Sequence, residues 1–192
     1  MLVSGRRYNR GDTIIELVLA FAIFSLSAVT TLTILNQGVA ISQRSLEKSL
    51  VRQQVDAQSE MIRYLHDVNS PQWATIKSMV ITNPLPLSGP CPDVSQLGTS
   101  GQKGFFVVPD SASIDGFQVL SAASPNYELP ARYANVDLVN KKAQGVWVQV
   151  ALAENNSGLA IDAYDFYVHG CWDSVGQRVP MTVGTIVRIY DK

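Results

Sequence analysis

Few residues in this sequence could support catalysis or metal binding. It contains two histidines, His66 and His169, and the second lies two residues before Cys171. A tetrahedral metal site needs further ligands, and no second Cys-His pair is present to supply them. There is also no nucleophile-elbow motif and no glycine-rich phosphate loop. We therefore predict no enzyme activity, no metal and no cofactor. Four acidic residues near predicted strands are too scattered to indicate a calcium site: Asp110, Asp115, Asp162 and Asp165.

The most unusual ionisable residue is Glu16, because an apolar segment follows it. The next charged residue is Arg44, and residues 17–35 are all apolar or small hydroxyl side chains. A helix over this stretch would measure about 28 Å, close to the hydrocarbon thickness of a bilayer. A carboxylate at the bilayer centre costs about 2.5 to 3.5 kcal/mol, and less near the interface. Such a residue usually has a functional partner.

The residues before this segment are basic. Arg6, Arg7 and Arg10 are unopposed by any acid, which predicts a cytoplasmic amino terminus and an exported remainder. Without residues 1–11, 12 basic residues face 16 acidic ones, a net charge of −4. This balance does not indicate nucleic-acid binding.

The segment GDTIIE at residues 11–16 resembles the leader junction of type IV prepilins and pseudopilins. In both, a basic leader ends in glycine, and a threonine, two aliphatic residues and a glutamate then open a long apolar helix. The resemblance implies that a prepilin peptidase cuts after Gly11, which makes Asp12 the first residue. It further implies that Glu16 neutralises the amino terminus of a neighbouring subunit during filament assembly. The expected partners are other pilin subunits, the prepilin peptidase and the membrane.

Two features depart from the family pattern. The residue after the cleavage glycine is commonly Phe, whereas this chain has Asp12, and the early proline of the family helix is absent. The departure at Asp12 leaves methylation of the new amino terminus open. It favours a minor pilin or a pseudopilin.

Three other interpretations explain parts of this segment. Thr13 and Glu16 have the spacing of a capping box at a helix start. A secretory signal could be cut after Ser27, with Ser25 as the other small residue. The segment could also be the uncleaved anchor of an extracellular adhesion module. None of the three accounts for the leader, the glycine, the glutamate and the length together.

The two cysteines both fall in the predicted exported part. In an oxidising compartment Cys91 and Cys171 are most simply one disulfide, with two free thiols as the alternative. The resemblance agrees, because many pilins have a disulfide in the carboxy-terminal part of the head.

Residues 36–69 contain no proline, so the apolar helix is predicted to continue as an amphipathic one up to the stop at Pro71. The predicted apolar stripe consists of Leu46, Leu50, Ala57, Met61 and Leu65, widened by Val51, Val55 and Ile62. A charged row consists of Arg44, Lys48, Arg52, Asp56 and Glu60. One interpretation of this row is a solvated face with one weak Arg52–Asp56 pair. The other is a contact between subunits, in which the basic half of one helix lies beside the acidic half of a parallel, staggered neighbour.

The rest of the chain changes character twice. Residues 70–103 are rich in proline and glycine and are predicted to form a long loop, with a short helical turn near 73–80. Six strands are predicted at 104–108, 115–121, 133–139, 145–152, 160–169 and 181–190. In the fourth, Val146, Val148 and Val150 alternate with other residues, which is typical of a strand with one buried face.

These patterns predict an α+β fold, in which a long amino-terminal helix packs on an antiparallel sheet as in a pilin-like roll. The predicted segments are a leader (1–11), a membrane or filament-core helix (12–35), its amphipathic extension (36–69), a loop (70–103) and a β-rich head (104–192). Four aromatic residues are predicted to pack in the sheet or core: Tyr164, Phe166, Trp172 and Tyr190.

Overall fold

The computed structural model describes residues 10–87, 89–98, 102–123, 125–130, 132–153 and 162–191, and only the backbone of residues 10–13. The chain divides into two compact units, Met1–Gln43 and Arg44–Lys192. The described helices are α1 (Arg10–Asp67), α2 (Pro71–Lys77) and α3 (Val94–Leu97). The described strands are β1 (Val80–Ile81), β2 (Phe105–Pro109), β3 (Phe117–Ser121), β4 (Tyr127–Glu128), β5 (Asn135–Asp137), β6 (Lys142–Gln144), β7 (Val146–Leu152), β8 (Asp162–Trp172) and β9 (Met181–Asp191). A long amino-terminal helix followed by a sheet confirms the α+β class.

The end of α1 and the start of α2 share one short junction. α1 ends at Asp67, and Asn69 has a φ of 50°, a left-handed conformation that an asparagine tolerates. The Ser70 side chain then accepts a hydrogen bond from the Gln72 amide at 3.0 Å and caps α2. Pro71 suits the first position of α2, where its missing N–H is not needed. The short helical turn predicted near residues 73–80 is thus α2, which begins and ends slightly earlier.

The buried face of α1 in the second unit differs from the predicted stripe. Leu46 is 62% exposed, Leu50 is 39% exposed and Ala57 is exposed. The buried apolar residues are Val51, Val55, Ile62 and Leu65. Four residues of an α-helix turn through about 400°, so each step of four residues moves the side chain about 40° around the helix axis. A row of such steps that starts at Leu46 therefore does not follow the face that contacts the sheet. The contact face therefore combines the widening residues with Met61 and Leu65 of the predicted stripe. Leu46, Leu50 and Ala57 lie outside it.

The main sheet has the strand order β3-β2-β7-β8-β9, and its neighbours in this order are antiparallel. A second, three-stranded sheet has the order β4-β6-β5. Two short pairs, β1 with β7 and β4 with β6, are parallel, so the prediction of a purely antiparallel arrangement is incomplete. All six predicted strands have counterparts, but the first two residues of the predicted strand 160–169 lie outside the described residues. The strands β1, β4 and β6 were not predicted.

The strand β7 is buried on both faces, which corrects the prediction of one buried face. Val148 and Val150 are fully buried, and so is Gln149 between them. One face of the sheet packs on α1, since Gly170 of β8 lies against Val51. On the opposite, outer face, the buried Gln149 bonds to two described residues of the preceding chain, Leu85 and Gln102. The Leu85 amide donates to Gln149 Oε1 at 2.8 Å, and Gln149 Nε2 donates to the Gln102 carbonyl at 2.7 Å.

A second buried glutamine joins α1 to the sheet. Gln58 is 1% exposed; its Nε2 donates to the Val107 carbonyl at 2.7 Å and its Oε1 accepts from the Val107 amide at 2.8 Å. The strand β2 pairs with β7 only at Phe105, so the amide and carbonyl of Val107 have no partner on β7. Gln58 provides both hydrogen bonds that a neighbouring strand would otherwise make.

We expect Gln58→Leu to lower the free energy of unfolding by about 2 to 4 kcal/mol, because it leaves the buried amide and carbonyl of Val107 unpaired. Denaturant unfolding followed by near-ultraviolet circular dichroism measures the change. Gln53→Leu is the matched control, since Gln53 is exposed on the same helix and should cost less than about 0.5 kcal/mol. Equal stability of the two variants would contradict the role of Gln58.

Candidate functional site

The amino-terminal unit presents an apolar helical surface. From Ile14 to Ile41 the large apolar side chains of α1 are 57% to 72% exposed. The best window of this helix has a mean hydropathy of 2.2, and none of that window is buried. One helix is therefore long and apolar enough to cross a membrane, which is compatible with a single-pass anchor. The surface needs a cover of lipid or protein, because apolar area of this extent is unfavourable in water.

The hydroxyl side chains of this segment are paired within the helix. Residues 17–35 contain five serines and threonines, and each donates a hydrogen bond to a backbone carbonyl one turn earlier. Ser25, for example, donates to the Phe21 carbonyl at 2.7 Å, and Ser27 to the Ile23 carbonyl at 2.8 Å. Side chains paired in this way leave no unsatisfied hydroxyl donor in an apolar surrounding.

Glu16 is the charged residue within this surface. It is exposed, and no hydrogen bond or ion pair joins it to another described residue. Because α1 begins at Arg10, Thr13 lies inside the helix rather than at its start, which disagrees with the capping-box interpretation. For the predicted cleavage site, Gly11 and Asp12, only the backbone is described, and leader residues 1–9 lie outside the described residues.

The predicted charged row on α1 is split by the structure. Lys48, Arg52, Asp56 and Glu60 are exposed. Arg52 and Asp56 are 3.8 Å apart in an exposed pair that contributes a few tenths of a kcal/mol. Arg44 is half-buried, and its guanidinium lies beside Gly176 in the loop after β8. The row that a neighbouring helix could meet therefore begins at Lys48.

The disulfide between Cys91 and Cys171 is present and joins residues 80 positions apart. It connects the chain before α3 to the end of β8, and Cys171 is 1% exposed. The bond thus fastens the segment predicted as a loop to the main sheet. It also excludes Cys171 as a partner of His169 in a metal site.

The predicted acidic residues are separate and mostly paired. Asp110 lies 3.2 Å from Lys141 Nζ, and Asp115 accepts from the Ser70 hydroxyl at 2.5 Å. Asp165 is buried rather than solvent-facing, and it receives two hydrogen bonds of 2.7 Å from Arg188. Within the described ranges, no group of three His, Cys, Asp or Glu residues is placed to hold a metal ion.

The aromatic residues divide between core and surface. Tyr164, Phe166 and Trp172 are buried, as predicted, while Tyr190 is 60% exposed. The Trp172 indole N–H donates to Glu47 of α1 at 3.1 Å, and the Ser174 hydroxyl donates to the same carboxylate at 2.6 Å. Glu47 therefore anchors the end of β8 to α1. This role of Glu47 is not predictable from the sequence, since a single glutamate in a polar stretch has no distinguishing signal.

His169 is the most unusual polar side chain of the sheet. It is 3% exposed and stacks on Trp147 with ring centroids 5.2 Å apart. Neither ring nitrogen has a hydrogen-bond partner among the described residues. Burial disfavours the charged imidazolium and lowers the pKa of His169 from 6.5 to about 4.

This shift predicts a loss of stability in mild acid. In the unfolded chain His169 binds a proton below about pH 6.5, whereas in the folded chain it does so only below about pH 4. The contribution of neutral His169 to the free energy of unfolding is therefore complete above pH 6.5 and is lost as the pH falls from 6.5 to 4. We expect the free energy of unfolding to fall by about 2 to 3 kcal/mol from pH 7.5 to pH 4.5. Denaturant unfolding at a series of pH values measures it. In His169→Phe this fall should disappear, and an unchanged pH dependence would contradict the assignment.

The search for related proteins returned nothing for this chain: no family model, no curated protein and no solved structure matches it.

Proposed function

We propose that this protein is a structural subunit, specifically a minor pilin, of a type IV pilus or a related filament. A prepilin peptidase processes it after Gly11, and it assembles through the amino-terminal part of α1. The observation that supports this most is the exposed apolar surface of Ile14–Ile41 with Glu16 near its start. Before assembly lipid covers this surface, and in the filament the equivalent helices of other subunits cover it.

The charge of the leader and the disulfide support the same orientation. Arg6, Arg7 and Arg10 favour a cytoplasmic amino terminus. The disulfide between Cys91 and Cys171 favours an exported head, because such bonds persist in oxidising compartments. The head is the second unit, in which α1 packs on the main sheet through Val51 and Gly170. A helix laid on a sheet in this way supports the pilin-like roll that the resemblance implies.

The part of α1 that belongs to the head also offers surface to neighbouring subunits. Leu46, Leu50 and Ala57 are apolar but remain outside the contact with the sheet. Lys48 and Glu60 lie in the exposed charged row, 12 residues apart, about 18 Å along a helix. In a filament of parallel, staggered helices, the basic end of this row lies beside the acidic end of the next subunit's row.

Two other functions fit the same chain. A pseudopilin of a type II secretion or DNA-uptake system has an equivalent amino terminus. It differs from a pilus subunit in the filament into which it assembles. An uncleaved, single-pass adhesion module would need the same span but neither processing nor Glu16. The proposal and the adhesion module therefore differ in the first residue of the mature protein.

We expect the protein from native membranes to begin at Asp12. Intact-mass analysis together with identification of the amino-terminal peptide measures this, and the same spectrum shows whether the amine is methylated. Gly11→Ala should block processing and leave the full-length chain, since the peptidase recognises the glycine in the family. A wild-type chain that begins at Met1 would support the anchored adhesion module instead. A start at Ala28 would mean that the segment is a secretory signal.

A further inference from the structure

The loop between β8 and β9, residues 173–180, lies at the end of the head where α1 begins its contact with the sheet. The Ser174 hydroxyl donates to the Glu47 carboxylate of α1 at 2.6 Å. The Arg44 guanidinium comes within 3.2 Å of the position that a Cβ at Gly176 would take. Arg44 is the first residue of the head. The loop is therefore fixed beside the point at which the chain enters the head from the apolar unit.

This end of the head exposes both apolar and basic side chains. Val175 is 63% exposed and Val179 is 65% exposed, although both are large apolar residues. Arg178 lies between them in the loop and is also exposed. On the adjoining turns of α1, Arg44 is half-buried and Lys48 is exposed. We call these five residues the base surface.

The positive charges of the base surface lack acidic partners. No ion pair joins Arg44, Lys48 or Arg178 to another residue in the described part of the chain. Most other basic residues of the head are in ion pairs: Arg52, Arg63, Lys77, Lys141, Lys142 and Arg188. The loop contains one acid, Asp173, and the Glu47 carboxylate already accepts two hydrogen bonds. The base surface is thus a positive region on a chain whose net charge without the leader is negative.

The length of the apolar helix indicates what lies next to this region. Exposed apolar side chains of α1 extend from Ile14 to Ile41, about 42 Å of helix, whereas the hydrocarbon core of a bilayer is about 30 Å thick. A helix accommodates such an excess by tilting in the bilayer. Arg44 follows Ile41 by only three residues. The first charges of the head are therefore expected at the level of the phospholipid headgroups.

We propose that the base surface binds anionic phospholipid headgroups of the membrane in which α1 is anchored. Its basic side chains lie against the phosphates, because anionic lipids attract Lys and Arg close to a membrane surface. Val175 and Val179 enter the boundary between headgroups and acyl chains, where apolar side chains are covered. The membrane already covers the neighbouring apolar residues, so the contact is continuous with the anchor. It needs the spanning helix but no filament, and its test is independent of the proposed function.

Tryptophan quenching in nanodiscs tests this contact with the full-length protein. The variant Val175→Trp is placed in phosphatidylcholine containing a minority of phosphatidylglycerol, with bromine on the acyl chains close to the headgroups. Bromine quenches only tryptophan that reaches it, so we expect the new tryptophan to be quenched. Val179→Trp is a second probe of the same loop. The three native tryptophans are at most 5% exposed, and the wild type measures their background: Trp73, Trp147 and Trp172.

The matched control for the probe is Ile114→Trp. Ile114 is 97% exposed, so a tryptophan there is as accessible as one at Val175. Its neighbour Asp115 accepts a hydrogen bond from Ser70, just beyond the end of α1. From Arg44 to the end of α1 the helix rises by more than about 30 Å, so this probe lies far from the base surface. We expect no quenching of Ile114→Trp above the wild-type background.

The charge of the lipid and of the loop is varied separately. Replacing phosphatidylglycerol by phosphatidylcholine should reduce the quenching of Val175→Trp. Adding Arg178→Gln should lower the ratio of quenched to unquenched tryptophan about fivefold, the effect of one basic residue at an anionic surface. Arg63→Gln removes an exposed charge near the other end of α1 and should leave this ratio unchanged. Equal quenching of Val175→Trp and Ile114→Trp, no dependence on phosphatidylglycerol, or equal effects of the two arginine variants would each overturn the proposal.

Discussion

Removing the disulfide is expected to lower the free energy of unfolding by about 4 kcal/mol in the Cys91→Ala, Cys171→Ala double variant. The bond closes a loop of 80 residues, and the chain-entropy model gives about 4.5 kcal/mol for a loop of this length. Small domains have a total stability of about 5 to 15 kcal/mol, so the head would lose a large fraction of it. Denaturant unfolding at pH 7.5 measures the change.

The control for this experiment is chemical reduction. Reducing agent should destabilise the wild type by nearly the same amount and leave the double variant unchanged, because the variant has no bond to break. Alanine is preferred over serine at Cys171, which is 1% exposed, since a hydroxyl there would add the cost of burying a polar group. A loss below about 1 kcal/mol would show that hydrogen bonds such as that of Leu85 already fix this part of the chain.

The long elements were predictable because their patterns repeat. α1 and the six strands of the prediction have enough residues to show an apolar period. The strands β1, β4 and β6 have only two or three residues, so no period can appear in them. The strand β5 is equally short and was predicted only as part of the longer segment 133–139. Their positions depend on neighbouring strands such as β7, which β1 joins in parallel. The residues of β1 themselves do not indicate that they pair with β7.

The orientation of α1 against the sheet was less predictable than its existence. Apolar residues occur on more than one face, and the row that included Leu46 and Leu50 looked as regular as the row of Val51 and Val55. The choice between them follows from tertiary packing, because Gly170 leaves room for Val51. A helix that also packs against other subunits would need apolar residues on both rows, which agrees with the proposed function.

The buried polar residues escaped prediction for a different reason. Gln58 and Gln149 are buried because each pairs with backbone groups 47 or more positions away. The sequence alone does not reveal which distant amide or carbonyl lacks a strand partner. The burial of His169 was not predicted for the same reason, since it depends on stacking against Trp147 of the neighbouring strand β7.

Glu16→Ala is expected to reduce the amount of this protein in filaments at least tenfold, while insertion into the membrane and cleavage after Gly11 continue. In the assembled filament Glu16 would meet the amino terminus of another subunit in a water-poor core, where an unpaired buried charge costs several kcal/mol. Every 1.4 kcal/mol corresponds to a factor of ten in incorporation at equilibrium. Comparing filaments sheared from native cells with the membrane fraction, by immunoblot, measures the distribution.

Two further variants separate the charge of Glu16 from the packing of its helix. Glu16→Gln retains the shape and should fail to assemble like Glu16→Ala, because the amino terminus still lacks an opposite charge. Leu17→Ala changes an exposed apolar neighbour and should reduce incorporation much less. All three variants should be processed to Asp12, which shows that they reach the peptidase. If Glu16→Ala enters filaments as the wild type does, or if no filament contains the wild type, the anchored adhesion module becomes the better explanation of this helix.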